Sequence, residues 1–155
     1  MNEQAFRLRP ATAEDAADIK ALIRQSGINP MGLDWPRFVL AVDAQDEMIG
    51  CVQLKPHGEG SVELASLAVV PEWQGRGVAR VLIEHMLMQH SGRLYLMCRA
   101  GLGSLYVKFG FQPLEIEDMP SYFRRIARLM AVLGVLRPNS EGLLVMQRQN
   151  EPAGG

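Results

Sequence analysis

Val69-Val70-Pro71-Glu72-Trp73-Gln74-Gly75-Arg76-Gly77-Val78-Ala79-Arg80-Val81-Leu82 decides the reading of this chain. An apolar, β-branched run ends at Pro71, and a short loop follows. Gln74 to Ala79 then opens an amphipathic segment expected to be helical from Gly75 to about His90. The first N–H groups of a helix have no partner within it, and the helix dipole adds partial positive charge there. Gly75 and Gly77 carry no side chain to keep a ligand from the backbone. A diphosphate fits such a seat without a metal. No Gly-Lys-Ser/Thr follows, so it is not a nucleotide P-loop. No G-x-G-x-x-G follows the strand either, which excludes a dinucleotide fingerprint.

The rest of the chain sets bounds around that segment. Its 155 residues suit one domain with a proper core, and 48% hydrophobic with 21% charged residues is ordinary globular composition. A net charge of −1 gives no electrostatic case for nucleic acid. The first residues lack the apolar core of a signal peptide, and the longest apolar stretch, Leu129 to Leu136, is too short to span a bilayer. Cys51 and Cys98 lie inside apolar strand-like runs, as buried thiols of a reducing cytoplasm do. Two Cys and three scattered His offer no metal-ligand spacing.

Working outward, Phe6 to Arg9 alternates as a short strand ended by Pro10. Thr12 caps a helix, with Asp15 in the capping-box position and Ala16, Ile19, Leu22 and Ile23 as its apolar stripe. Gly27 stops it, and residues 28–36 are rich in turn formers. Three strands in meander order follow, Phe38 to Val42, Met48 to Leu54 and Ser61 to Val70, joined by short polar turns. After the 75–90 helix come a strand at Arg93 to Cys98, a helix at Gly103 to Phe109, and a strand at Phe111 to Ile116. A helix from Pro120 to about Leu136 and a last strand at Leu143 to Gln147 complete the order. This is an α/β layered sheet in one domain, residues 1–150, with 151–155 as a disordered tail.

The segment from Val69 to Ala79 resembles the acyl-CoA-binding motif of the GNAT N-acetyltransferase superfamily. That pattern, Gln or Arg, two residues, Gly, one residue, Gly or Ala, falls on Gln74, Gly77 and Ala79, after a Val-x-Pro-Glu-aromatic lead-in at Val69 to Trp73. Residues 104–111, Ser-Leu-Tyr-Val-Lys-Phe-Gly-Phe, resemble the family's second landmark, with Leu105 in place of the usual Phe. Upstream, Arg99-Ala-Gly-Leu-Gly lacks the Asn that often contacts the cofactor. The resemblance implies a mixed, mostly antiparallel sheet of about six to seven strands with helices on both faces. It implies acetyl-CoA as co-substrate, no metal, and direct attack by a primary amine in a ternary complex. The cofactor contacts would be Leu67, Ala68, Val69, Gln74, Gly75, Arg76, Gly77, Val78, Ala79, Ser104, Tyr106 and Lys108. The pantetheine arm would bond to backbone near Leu67 and Val69, with the Val69 N–H facing the oxyanion. Tyr106 would protonate the departing thiolate; the residue taken alone reads first as a half-buried aromatic with a solvated hydroxyl, and the two motifs in family order reverse that preference.

Glu63 is the candidate base. Strand alternation places Glu63, Ala65, Leu67 and Val69 on one face. A carboxylate on an apolar strand either begins a strand that reaches solvent or deprotonates the substrate ammonium. His57, in the polar turn Lys55 to Gly60, is the weaker candidate. For the acceptor, a small-molecule or peptide amine, Asn29, Asp34 and Trp35 stand in the 28–36 loop, with Trp35 reading first as a core plug. Tyr122 and Arg125 stand on the 120–136 helix, where Tyr122, Ile126, Leu129, Met130 and Leu133 share an apolar face and Arg124, Arg125 and Arg128 a basic one. The C-terminal segment offers a surface for a homodimer, and no membrane partner is expected. Two alternatives stay open: a non-catalytic acyl-CoA-binding regulatory module, and a transferase of longer acyl groups.

Overall fold

The computed structural model describes residues 5–136 and 142–150; the 151–155 tail lies outside them. Seven strands, β1 (Phe6–Pro10), β2 (Phe38–Asp43), β3 (Met48–Pro56), β4 (Val62–Val69), β5 (Gly92–Arg99), β6 (Gln112–Pro113) and β7 (Leu143–Asn150), form one sheet in the order β1-β2-β3-β4-β5-β7-β6. β1 with β2, β2 with β3, β5 with β7 and β6 with β7 pair antiparallel, whereas β4 and β5 meet in parallel at Glu63 and Tyr95. Four helices accompany them: α1 (Ala16–Gln25), α2 (Val78–Gln89), α3 (Gly103–Val107) and α4 (Ser121–Leu136). This is the mixed, mostly antiparallel sheet with helices on both faces that the motifs imply.

Two compact units are present, residues 1–55 with 64–89, and residues 56–63 with 90–155. In the first, α1 buries Ile19, Leu22 and Ile23 against Leu40, Val42, Cys51 and Ala68. Ala16, expected on that stripe, is exposed. It sits in the first helical turn just beyond the capping box, where Asp15 accepts the Thr12 N–H at 2.7 Å and turns inward toward Arg9. The opposite sheet face receives α2. A Cβ at Gly50 would stand 3.1 Å from Val78 Cγ1 and 3.2 Å from Leu82 Cδ1, so glycine lets α2 approach the strand closely.

β4 departs from simple alternation. Ser66 has φ +60, a left-handed conformation that costs a non-glycine residue about 1 kcal/mol. Its hydroxyl accepts a bond from Gln53 Nε2 at 2.9 Å, and its carbonyl lies 3.5 Å from Cys51 Sγ. Ala68, two residues on, joins the α1 core.

In the second unit, α4 lays the fully buried Phe123 against Tyr95, Val145 and Met119. The face expected from Tyr122 to Leu133 is only partly used: Tyr122 and Ile126 are half-buried, while Leu129, Met130 and Leu133 are exposed. Arg124 is not part of a solvated basic face. It donates to the carbonyls of Met119, Ile116 and Glu117, tying α4 to the 3-10 turn before it. The strand expected at 111–116 is cut to two residues, because Ile116–Asp118 coils into that turn.

Candidate active site

The glycine segment folds as a turn ahead of the helix, not as its first turn. Gly75 has φ +80 and Gly77 φ +85, outside the helical region, so α2 begins at Val78. A Cβ built on Gly75 meets no atom within 4 Å. The backbone of this turn is therefore bare on its outer side, ahead of a 12-residue helix. Val81 N–H closes the first helical bond on Gly77 O at 3.1 Å. Gln74 folds back and donates Nε2 to the Val69 carbonyl at 3.0 Å, fastening the turn to the end of β4. Arg76 lays its guanidinium over Trp73, 4.8 Å from the ring centre, and Trp73 meets Phe6 edge-on. Leu67, Ala68 and Val69 lie just past the Ser66 kink, with Ala68 buried and the other two half-buried. Val78 is buried against the sheet and Ala79 half-buried.

Tyr106 sits on α3 and is 9% exposed, its ring edge-on to Phe111. Burial, then the nearby Cys98, pushes its hydroxyl up to about 12. The phenol is thus protonated at any ordinary pH, the state an acid needs. Gly110 ends the element with φ +90. Ser104 is exposed on the same short helix, and Lys108 is exposed just past its end.

Glu63 does not reach solvent at the start of its strand; it is 5% exposed. His57, read from the sequence as the weaker candidate, is its partner: Nε2 lies 2.8 Å from Glu63 Oε1, and both side chains are 7% exposed. The reason lies in the turn. His57 N–H donates to Ser61 O at 2.9 Å and Gly60 N–H to His57 O at 2.9 Å, so the hairpin is tight. His57 and Glu63 then become diagonal neighbours on one face, within reach of long side chains. The Tyr122 ring stacks on the imidazole at 3.7 Å with 21° between planes, and Phe123 meets it edge-on at 5.4 Å. Burial and then the charge of Glu63 raise the Tyr122 hydroxyl above its ordinary range. Glu59, from the same turn, accepts the Tyr122 N–H at 2.9 Å and the Ser121 hydroxyl at 3.5 Å. Burial opposes ionisation of Glu59, but those donors and the Ser61 hydroxyl outweigh it and lower its pKa.

The other acceptor candidates are more dispersed. Asn29 is exposed and turns its Oδ1 to the Met31 N–H at 3.0 Å. Asp34 is exposed and stands 3.6 Å from Arg37. Trp35 is 37% exposed and does not plug the core; Ile28 and Leu33 pack there instead. Arg125 is exposed on α4, the element that also carries Tyr122. Among the described residues no group of His, Cys, Asp and Glu is placed to hold a metal ion, and no helix is long and apolar enough to cross a membrane. Cys51 and Cys98 are buried and not joined in a disulfide; burial pushes the Cys51 thiol up to about 12.

Comparison with known proteins places the chain in a family. The family model described as acetyltransferase (GNAT) domain matches residues 34–113, from the loop before β2 to the end of β6. A mycothiol acetyltransferase from Saccharopolyspora erythraea is 34% identical over 85 residues, 53% of this chain; the match spans about a quarter of that relative, 26%. N-acetylglutamate synthase from Neisseria gonorrhoeae, solved with coenzyme A and N-acetyl-glutamate, superposes with a TM-score of 0.73 at 23% identity, over 97% of this chain and 36% of that one. The ribosomal-protein-S18-alanine N-acetyltransferase of Escherichia coli gives 0.65 at 16% identity, over 96% of each chain. These two structures share the fold of this protein. The family match takes in the glycine turn, both flanking elements and the Tyr106 helix, and on that ground the chain belongs to the GNAT acetyltransferase family.

Proposed function

We propose that the protein transfers an acetyl group from acetyl-CoA to a primary amine of a small molecule or peptide, by direct attack in a ternary complex. The observation that carries this reading is the turn with two positive-φ glycines, open above Gly75, leading into the N-terminus of α2. In this reading the N–H groups from Gly75 to Ala79 hold the CoA diphosphate, with Gln74 fixing the turn and Arg76 at its rim. Backbone groups of Leu67, Ala68 and Val69 hold the pantetheine arm. Ser104, exposed on α3, and Lys108, exposed just past its end, meet the outer part of the cofactor. CoA-bound relatives with the same fold support the choice of ligand.

The chemistry follows from the named groups. An alkyl ammonium near pKa 10 is about one part in a thousand neutral at pH 7, so a base helps. Glu63 takes one proton: an N–H bond breaks and an O–H bond forms on the carboxylate. The amine lone pair attacks the thioester carbonyl, and the Val69 N–H receives the oxyanion. As the C–S bond breaks, Tyr106 gives its proton to the thiolate and regains one from the new amide nitrogen. Glu63 then releases its proton to water, leaving amide, CoA thiol and one proton. Asn29, Asp34, Trp35, Tyr122 and Arg125 are assigned to the acceptor, and the buried thiols fit a reducing cytoplasm.

The test is metal-independent binding. Acetyl-CoA should raise the melting temperature in the presence of a chelator. Gly77→Asn tolerates φ > 0 and keeps that rise; Gly77→Asp has the same shape but puts negative charge at the diphosphate and removes most of it. A rise that survives Gly77→Asp would move the cofactor elsewhere.

A further inference from the structure

Beneath Tyr122, the imidazole of His57 and the carboxylate of Glu63 form a polar pair in the aromatic core of the second unit. Burying a carboxylate is costly unless it is well bonded, and a surface carboxylate, Glu59, already fastens this turn to α4. The ring is also held in its plane. Tyr122 stacks flat on it and Phe123 meets it edge-on, so Nε2 is aimed at Glu63 by packing.

We infer that His57 is the positioning residue of the base: stacked under Tyr122, it holds and orients the Glu63 carboxylate for the proton of the acceptor ammonium. This rests on the acetyltransferase reading. In this role His57 donates Nε2–H to Oε1 and gives up no proton in the step. The proton passes from the ammonium nitrogen to the Glu63 carboxylate, and the electron pair stays on the amine. Around the pair, Glu59 belongs to the same turn, Tyr95 stands opposite Glu63 on β5, and Tyr122 and Arg125 come from α4. Glu59, Arg125 and, on the β5 side, His90 and Arg93 contribute charge around the pair, and the imidazole Nε2 lies 2.8 Å from Oε1. Without it a buried carboxylate is harder to ionise, and its titration moves up.

Two variants separate this role from packing. His57→Phe keeps a ring under Tyr122 and removes the donor. His57→Gln keeps a donor and removes the ring. The carboxyl-carbon NMR signal of Glu63 is followed against pH in the free protein. The acidic limb of kcat/KM is measured with acetyl-CoA and the amine that turns over best in a panel of alkyl amines, amino acids and polyamines. His57→Phe should move both midpoints up by about one unit or more, and lower kcat/KM about tenfold at pH values on the acidic limb. His57→Gln should leave both near wild type, although it melts lower. The reverse order, with His57→Gln losing rate and His57→Phe keeping the limb, would make the ring a packing element and overturn the inference. A Glu63 signal unmoved in His57→Phe would also overturn it. If that signal moves but the wild type turns over no amine, the acetyltransferase reading fails and the pair loses its role as base.

Discussion

Glu59 Oε2 accepts the backbone N–H of Tyr122 at 2.9 Å, across sixty-three residues of sequence. One acidic side chain from the β3–β4 turn thus caps α4, while His57, two residues earlier, takes the Tyr122 ring. The turn grips the helix start by its backbone and by its first aromatic.

Glu59→Ala should destabilise α4 by about 1 kcal/mol, the usual worth of a lost cap. The Glu59 pKa is lowered in the folded protein, so the cap is present above its unfolded value and lost as pH falls through the folded one. Hydrogen exchange of the α4 amides should speed up in Glu59→Ala at neutral pH, and in the wild type as pH drops. Unchanged α4 protection in the variant would mean that ring packing and the Arg124 bonds hold the helix without this cap.

Arg9 grips Asp15 with two bonds, 2.9 and 3.1 Å, and the Asp15 carboxyl falls to about 2 from an ordinary 3.8. The Arg9 bond is the largest cause; burial opposes it, and the Thr12 N–H and hydroxyl add to it. A depressed folded pKa gives stability that is complete above the unfolded value and disappears as pH falls through about 2. Asp15→Asn should therefore cost about 2 kcal/mol at pH 7. The difference from wild type should close as the melting curves are taken to lower pH. A constant difference would assign the loss to the helix cap rather than to the charge.

Tyr106→Phe keeps the ring against Phe111, so the melting temperature should change little. Turnover should fall about 10²–10⁴-fold where chemistry limits the rate, the usual worth of a placed acid. Acetyl-CoA binding should change much less. Because burial holds the hydroxyl near 12, kcat/KM should show no loss from its ionisation below about pH 10. Wild-type turnover in Tyr106→Phe would remove it from the mechanism.

Glu63→Gln should lower turnover at neutral pH and leave acetyl-CoA binding intact. Part of the loss should return at higher pH, where more of the amine is neutral. Unchanged turnover would reduce Glu63 to a partner of His57 within the core.

The elements that were legible in the sequence are those whose signal is local. Pro10 and Gly27 end their elements where expected, and the three-strand meander follows from its polar turns. The start of α2 was read three residues early, because helical periodicity does not reveal that Gly75 and Gly77 hold positive φ. The Ser66 kink carries no local signal: a serine in the left-handed region is held by Gln53 and Cys51 from the neighbouring strand. His57 was undervalued because its turn is polar. The clue was the turn's shortness, which sets His57 diagonal to Glu63, whereas the aromatics that enclose the pair come from a helix more than sixty residues away. Trp35 misled in the opposite sense, since bulk suggests burial but Ile28 and Leu33 take the core positions first.

The central claim is acetyl transfer to an amine, and product analysis on the amine panel tests it most directly. The wild-type protein is incubated with acetyl-CoA and each amine, and thiol release is followed together with the mass of the amine. At least one amine should give thiol and N-acetylated product in equal amounts, above the rate without protein, and Tyr106→Phe should suppress both. Binding of acetyl-CoA with neither thiol release nor acetylated product on any amine would contradict the account and leave a cofactor-binding module in its place.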